Sequence, residues 1–356
     1  MNAPMLGPKL SVRHADLADR NESTRLDAWI MSQENGLPFH RPKWLKAVEV
    51  GTGQTAHCLV AEFPGEIAAI LPFHLVHSPF FGRALVSSGF AVGGGILSNN
   101  ATATRTLAAE ICALAERCSC PTVELRGGAM PGGNWLEKRD AHANFVKALQ
   151  ADDEAELLAV PRKQRAEVRK GLENGLTIET GQAQRDIDWH YAVYSESVRN
   201  LGTPVFPRSL MASVLGAFGE EADILSVLSE GRPVASVLSL YHNGTVMPYW
   251  GGGVWDARRL RANDIMYYAL MKHARQRGCT QFDFGRSKTG SGAYFFKKNW
   301  GFEPEPMAYA VHTADGQEPR DVNPNSPNYK AQIAIWQKLP LTVANWLGPW
   351  IAKGLG

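Results

Sequence analysis

One order of local signals occurs twice along this chain, at a nearly constant offset. From His57 an alternating apolar stretch, CLVAEFPGEIAAILPFHLV, is broken by Pro64-Gly65 in a hairpin pattern. A short strand, RALVSSGF, leads to Gly93-Gly94-Gly95. Then come ATRTLAAEICALAERC, with apolar residues at helical three-and-four spacing, and the strand PTVELRGG. The second round reads ILSVLSEGRPVASVLSLYHNGTVMPYWGGG, turning at Gly231 and ending in Gly251-Gly252-Gly253. The helix ANDIMYYALMKHARQRGC and the strand TQFDFGRS follow. The triplets lie 251 − 93 = 158 residues apart, and Glu124 and Asp283 lie 283 − 124 = 159 apart. Two helical segments precede each hairpin: STRLDAWIMSQ and RPKWLKAVEV in the first round, DWHYAVYSESVRNLG and RSLMASVLGAFG in the second. The pattern predicts a tandem duplication of a mixed α/β unit, each a half-open sheet with helices on both faces. The expected boundaries are a first unit at 1–160, a basic interdomain helix at 161–175 and a second unit at 176–316. A Pro-rich linker and an amphipathic tail fill 317–356.

A chain of 356 residues is long enough for two such cores, and an apolar content of 44% excludes bulk disorder. With 37 basic and 35 acidic side chains the net charge is +2, so a polyanion would have to meet a local patch. The N-terminal residues lack an apolar h-region and no run of about 18 apolar residues occurs, so neither a secretory signal nor a spanning helix is expected. Five cysteines without paired CxxC knuckles read as reduced core thiols, and no metal site is expected. The expected location is the cytoplasm, with attachment to the inner face of the membrane as a second expectation.

Chemistry concentrates in FDFGRSKTGSGAYFFKKNWGF, from Phe282 to Phe302. A buried strand ends at Asp283, a polar glycine loop carries Arg286, Ser287 and Lys288, and an aromatic-plus-lysine strand or helix follows. Ligands of α/β sheets bind at the carboxyl ends of strands, where this loop emerges. Gly285-x4-Gly290 has Ser291 where a P-loop needs lysine, and Lys288-Thr289-Gly290 has no SxxK partner. Neither GxSxG nor HExxH occurs. The glycine triplets read as turns, and after the second one Arg258, Arg259, Arg261 and Asn263 form a candidate phosphate-binding turn before a helix. It lacks the further glycine of the usual coenzyme A signature.

Two GNAT-like (acyl-CoA N-acyltransferase fold) units in tandem, with Phe296-Lys297-Lys298-Asn299-Trp300-Gly301 after a glycine loop, resemble the FemAB/FemX family. Arg165, Arg169, Lys170 and Gly175 match its interdomain pattern, and Phe39 and Trp44 an early one. SSGFAVGGG, DFGRSK, FKKNWGFEPEP and RDVNP are similar to the FemAB-related proteins of exosortase/PEP-CTERM and exopolysaccharide systems. The resemblance implies transfer of an aminoacyl or other acyl group to an amine, on a small-molecule or lipid-linked glycan acceptor of the cell envelope. The donor would be aminoacyl-tRNA or acyl-CoA, with no bound cofactor.

The resemblance gives Lys297 the role of the cation that stabilises the tetrahedral oxyanion, with Phe296 positioning the donor and Tyr249 lining the acceptor cleft. Trp250 and Tyr294 are further candidates for substrate contact. Asp283, a carboxylate in an apolar strand, is the candidate base, since burial would raise its pKa. A structural role for Asp283 on Arg286 or a backbone amide is the competing reading, as an ordinary surface position is for Lys297. The basic helix (Arg162, Lys163, Arg165, Arg169, Lys170) could meet tRNA or lipid phosphate, or be a solvated face. The tail, with Trp336, Trp346, Trp350 and Ile351 beside Lys338 and Lys353, could lie in a membrane interface or pack back onto the second unit. A coenzyme-A-dependent acyltransferase and a non-catalytic scaffold are the rival functional classes.

Overall fold

The computed structural model describes residues 9–79, 81–314, 327–354 and 356. The chain forms two compact units: 1–139 with 308–321 and 353–356, and 140–307 with 322–352. The RDVNP stretch and most of the expected Pro-rich linker lie outside the described residues.

The first unit runs β1 (Ser11–His14), α1 (Arg20–Met31), α2 (Pro42–Thr52), β2 (Thr55–Phe63), β3 (Glu66–Ser78), β4 (Gly82–Ser87), β5 (Leu97–Ser98), α3 (Ala101–Arg117) and β6 (Thr122–Arg126). Pro64 and Gly65 close the β2–β3 hairpin, with Gly65 at φ +82°, the left-handed position such a turn requires. Asn100 starts α3 by accepting hydrogen bonds from the amides of Thr102 and Ala103. The apolar stripe of α3 (Ala103, Leu107, Ile111) packs on Leu59, Leu71, Phe73 and Leu125, all fully buried. Strands β4 and β6 run parallel for only two residue pairs, Leu85↔Val123 and Val86↔Glu124.

The second unit repeats the plan. It comprises β7 (Leu136–Asn144, from Asp140 on), β8 (Val146–Ala148), α4 (Asp153–Ala159), α5 (Arg162–Leu172), β9 (Thr177–Gly181), α6 (Gln184–Asn200), α7 (Arg208–Phe218), β10 (Ala222–Ser229) and β11 (Arg232–His242). Then follow β12 (Thr245–Gly253), α8 (Ala257–Leu260), α9 (Ala262–Gln276), β13 (Gln281–Asp283), β14 (Ser287–Lys288) and α10 (Gly292–Asn299). Its sheet has the order β8-β13-β12-β11-β10-β9. Glu230-Gly231 and Asn243-Gly244, all at positive φ, make the two hairpin turns. The core gathers Leu225, Val237, Met266, Leu270, Phe282, Trp300 and Phe302. Each such side chain stabilises the fold by about 1.5–3 kcal/mol on burial.

Three expectations need correcting. The glycine triplet 251–253 is not a turn: it is the end of β12, paired with Ala235, Ser236 and Val237. A Cβ on Gly252 would stand 2.2 Å from the Ser197 hydroxyl, so α6 lies on the strand only because these residues lack side chains. The unit boundary falls at 140 rather than 160, because β8 pairs with β13 and Phe145 and Val160 lie in the second core. Conversely β15 (Glu305–Thr313) returns to the first unit, pairing antiparallel with β6 from Tyr309↔Arg126 to Thr313↔Thr122.

The basic helix α5 likewise belongs to the second unit. Gln164 and Val168 are buried, and a Cβ on Gly171 would meet Ile265 of α9 at 2.6 Å. In the tail, α11 (Pro327–Lys338) and α12 (Leu341–Ala352) lie against α6. Gln337 Nε2 donates to the Asn200 carbonyl at 3.1 Å, and Asn345 Nδ2 to Ser195 Oγ at 3.2 Å.

Candidate active site

At the carboxyl end of β13 the sheet opens. β12 and β13 are parallel for two residue pairs, Thr245↔Gln281 and Val246↔Phe282, after which β12 continues to Gly253 while β13 stops at Asp283. The chain then turns through Gly285 (φ +67°), pairs briefly as β14 with His142 and Ala143, and bends at Gly290 (φ +74°). Ser291 starts α10 by accepting a hydrogen bond from the Tyr294 amide at 3.2 Å. The aromatic-plus-lysine segment is therefore a helix, which brings Lys297 back over the strand end.

Lys297 is not a surface lysine: its exposure is 9%. Its Nζ donates to the carbonyls of Gly285 at 2.8 Å and Arg286 at 3.1 Å, and lies over the rings of Phe145 and Phe284. Burial lowers its pKa from 10.5 to about 7, against the attraction of Asp283. Asp283 is also buried. Its carboxylate accepts from the Gly285 amide at 2.7 Å and from the Asn144 side chain. Burial raises it from 3.8 to about 6, the direction expected of a carboxylate in an apolar strand. An ammonium has three donors and two are used here, which leaves one for a third acceptor.

The aromatic residues divide. Phe296 packs on Tyr267, Phe284 and Trp300 and fixes α10 to the core, so it holds the helix. Trp250, expected to touch substrate, is 4% exposed beside Phe206 and Tyr249, because its strand position faces the core. Tyr249 is half-buried. Tyr294 stands edge-on to Phe145. Ser287 is buried in β14 with no hydrogen-bond partner for its Oγ, which removes it from any solvent-facing phosphate contact. Arg286 and Lys288 are half-buried beside it.

The candidate phosphate turn is differently committed. Arg258 and Arg259 are exposed on α8, while Arg261 pairs with Glu167 of α5 at 2.6 Å. Asp264, in the first turn of α9, accepts from Gln164 Nε2 at 2.5 Å. A carboxylate in the first helical turn, next to an ion-paired arginine, opposes phosphate binding there. Asn263 is half-buried, its Oδ1 unpartnered.

Sequence reasoning missed Asn144 and Phe145. They lie about 140 residues upstream of the loop, and β8 pairing with β13 (Asp283↔Val146) sets them beside Asp283 and Lys297. Among its described residues the first unit is built differently at the matching strand end. Its carboxylate at the corresponding position, Glu124, pairs with Arg126 at 2.6 Å. There the guanidinium of Arg126 reaches the loop after β4, donating to the Ala91 carbonyl, and its amide donates to Ser87 Oγ at the end of β4. Among the described residues no group of His, Cys, Asp or Glu could hold a metal ion. The five cysteines are unpaired, and burial pushes Cys58 up to about 12.

This geometry can be set beside known proteins. Residues 161–298 match the model of the acetyltransferase (GNAT) domain. The match runs from the start of α5 to Lys298 of α10, within the second unit. A comparison with curated proteins finds no match. Among solved structures, FemX is 15% identical with a TM-score of 0.64, covering 81% of this chain and 95% of that one. A tandem GNAT protein from the clavulanic acid biosynthesis pathway is 13% identical, TM-score 0.55, covering 87% and 100%. The C-terminal domain of an Agrobacterium fabrum protein assigned as a lysylphosphatidylglycerol synthetase is 15% identical, TM-score 0.56, covering 83% and 93%. At such identities the likeness establishes the fold: two GNAT-like units in tandem with helices at the C-terminus.

Proposed function

We propose that the chain is a FemAB-like N-acyltransferase that moves an aminoacyl or other acyl group onto an amine of a cell-envelope or exopolysaccharide precursor, a small molecule or a lipid-linked glycan. The observation that carries the reading is Lys297, buried with its Nζ fixed by two backbone carbonyls next to the buried carboxylate of Asp283. The acceptor amine attacks the acyl carbon and a C–N bond forms. The carbonyl oxygen takes the negative charge, which the remaining donor of Lys297 stabilises. Asp283 accepts the proton lost by the amine, and the ester or thioester bond to the donor then breaks. The leaving oxygen or sulfur departs protonated.

Aminoacyl-tRNA is the favoured donor. Arg162, Lys163, Arg169 and Lys170 stand exposed along one helix, a charged strip suited to a phosphate backbone. The acetyltransferase domain match favours acyl-CoA as the second reading. The Arg261–Glu167 pair and Asp264 at the start of α9 weigh against it. The exosortase and exopolysaccharide setting, and action in the cytoplasm or at the inner face of the membrane, rest on the sequence resemblance.

Thermal shifts against charged tRNA, uncharged tRNA and short acyl-CoAs separate the donors. A saturable shift with charged tRNA alone supports the favoured donor. A shift with acyl-CoA alone replaces it with the second reading, and no shift with any donor favours the scaffold.

A further inference from the structure

Five of the twelve large apolar side chains exposed among the described residues gather on α11, α12 and the end of α6: Leu201, Ile335, Val343, Trp346 and Trp350. Their exposure does not come from a loose tail. Ala344, Gly348 and Ala352 face inward at helical spacing, and Gly348 lies against Val205 so closely that a Cβ would meet it at 3.0 Å. Arg199 donates to the carbonyls of Gln337 and Leu339 at 3.3 Å, and Gly202 makes room for Ile333. With one face pinned, Val343, Trp346 and Trp350, at i, i+3 and i+7, are held outward with exposures of 39%, 71% and 69%.

Charge says what covers this face. From Pro327 to Gly356 the sequence has three lysines, Lys330, Lys338 and Lys353, and no aspartate or glutamate. With lysines and no acid of its own, this segment offers a second copy of itself no opposite charge. It does complement a surface of phosphates. Tryptophan, apolar in body with one polar N–H, settles at the level of lipid headgroups, and a short helix with tryptophan outward and lysine at its margins lies along an anionic interface. No helix of the described residues is long and apolar enough to cross a membrane, so a surface contact is the geometry available.

We propose that the outward face of α12, with Ile335 and Leu201 at its edge, docks the protein on an anionic bilayer, seating Trp346 and Trp350 among the headgroups. The inference stands independently of the acyl-transfer reading.

The test is flotation of the full chain with vesicles of phosphatidylglycerol and phosphatidylcholine, against phosphatidylcholine alone. Binding is expected on the anionic vesicles, with a blue shift of tryptophan emission. Trp346→Ser should lower the bound fraction about tenfold at an unchanged melting temperature. The exposed Lys338→Glu, which leaves the helix packing untouched, should weaken binding to anionic vesicles only. Absence of flotation by wild type, or equal flotation by all three proteins, overturns the proposal. Self-association lost in Trp346→Ser without flotation would also overturn it, assigning the face to a second copy.

Discussion

Burial acts in opposite directions on Lys297 and Asp283, lowering one to about 7 and raising the other to about 6. Both shifts bear on stability. A lysine lowered in the folded state binds fewer protons there than in the unfolded chain, so its contribution to stability grows as pH rises from about 7 toward 10.5. Asp283, raised when folded, does the reverse: its contribution is lost as pH rises from 3.8 through about 6. Between pH 7 and 9, wild type should therefore gain about 2 kcal/mol relative to Lys297→Met. Denaturant melts at the two pH values check this, and a constant difference would place Lys297 in solvent. The same pair predicts a bell-shaped rate profile with apparent pKa values near 6 and 7, as Asp283 must be ionised and Lys297 protonated. Asp283→Asn should remove the acid limb. The sequence made Asp283 and Lys297 legible, one as a carboxylate ending an apolar strand and the other by a family motif. Asn144 and Phe145 were not, since nothing local marks a residue whose partner arrives by strand pairing about 140 residues later.

Between Ser291 and Phe302 one element performs two tasks. Its Lys297 reaches into the site, while Trp300 and Phe302, at 0% and 1% exposure, bind the helix to the core. Gly301 (φ +80°) ends α10, its amide donating to the Lys298 carbonyl at 2.9 Å, and a Cβ there would meet Pro161 at 3.1 Å. Much of the FKKNWG motif is thus a helix stop and an anchor. Gly301→Ala should cost at least about 1 kcal/mol, from the strained φ. Trp300→Ala should cost about 3–5 kcal/mol. Chemical denaturation measures both. Hairpins and helices were readable because their signals are local: Pro64-Gly65, a glycine at Gly231, apolar spacing in α3 and α9. The second glycine triplet was misread because the same residue serves turns and close packing, and only the approach of α6 at Ser197 tells them apart.

The duplication read from the offset corresponds to two units of one plan, but the chain does not divide between them at a single point. Segment 140–160 supplies Phe145 and Val160 to the second core, and Tyr309–Thr313 supplies the strand beside β6 in the first. Strand pairing over long separations leaves no mark in composition, which is why a boundary placed at the basic helix missed by about 20 residues. A fragment 1–160 keeps β4 beside β6 but lacks its antiparallel partner β15, leaves an edge at the fully buried Val123 and Leu125, and should not unfold cooperatively by circular dichroism.

In the proposed reaction Lys297 supplies the cation for acyl transfer in the second unit. Single-turnover transfer of labelled aminoacyl groups from charged tRNA to an amine acceptor, in wild type and Lys297→Met, measures that role. The variant should lose a factor of about 10²–10³ in rate with its melting temperature retained at pH 7. Transfer by the variant at the wild-type rate would contradict it.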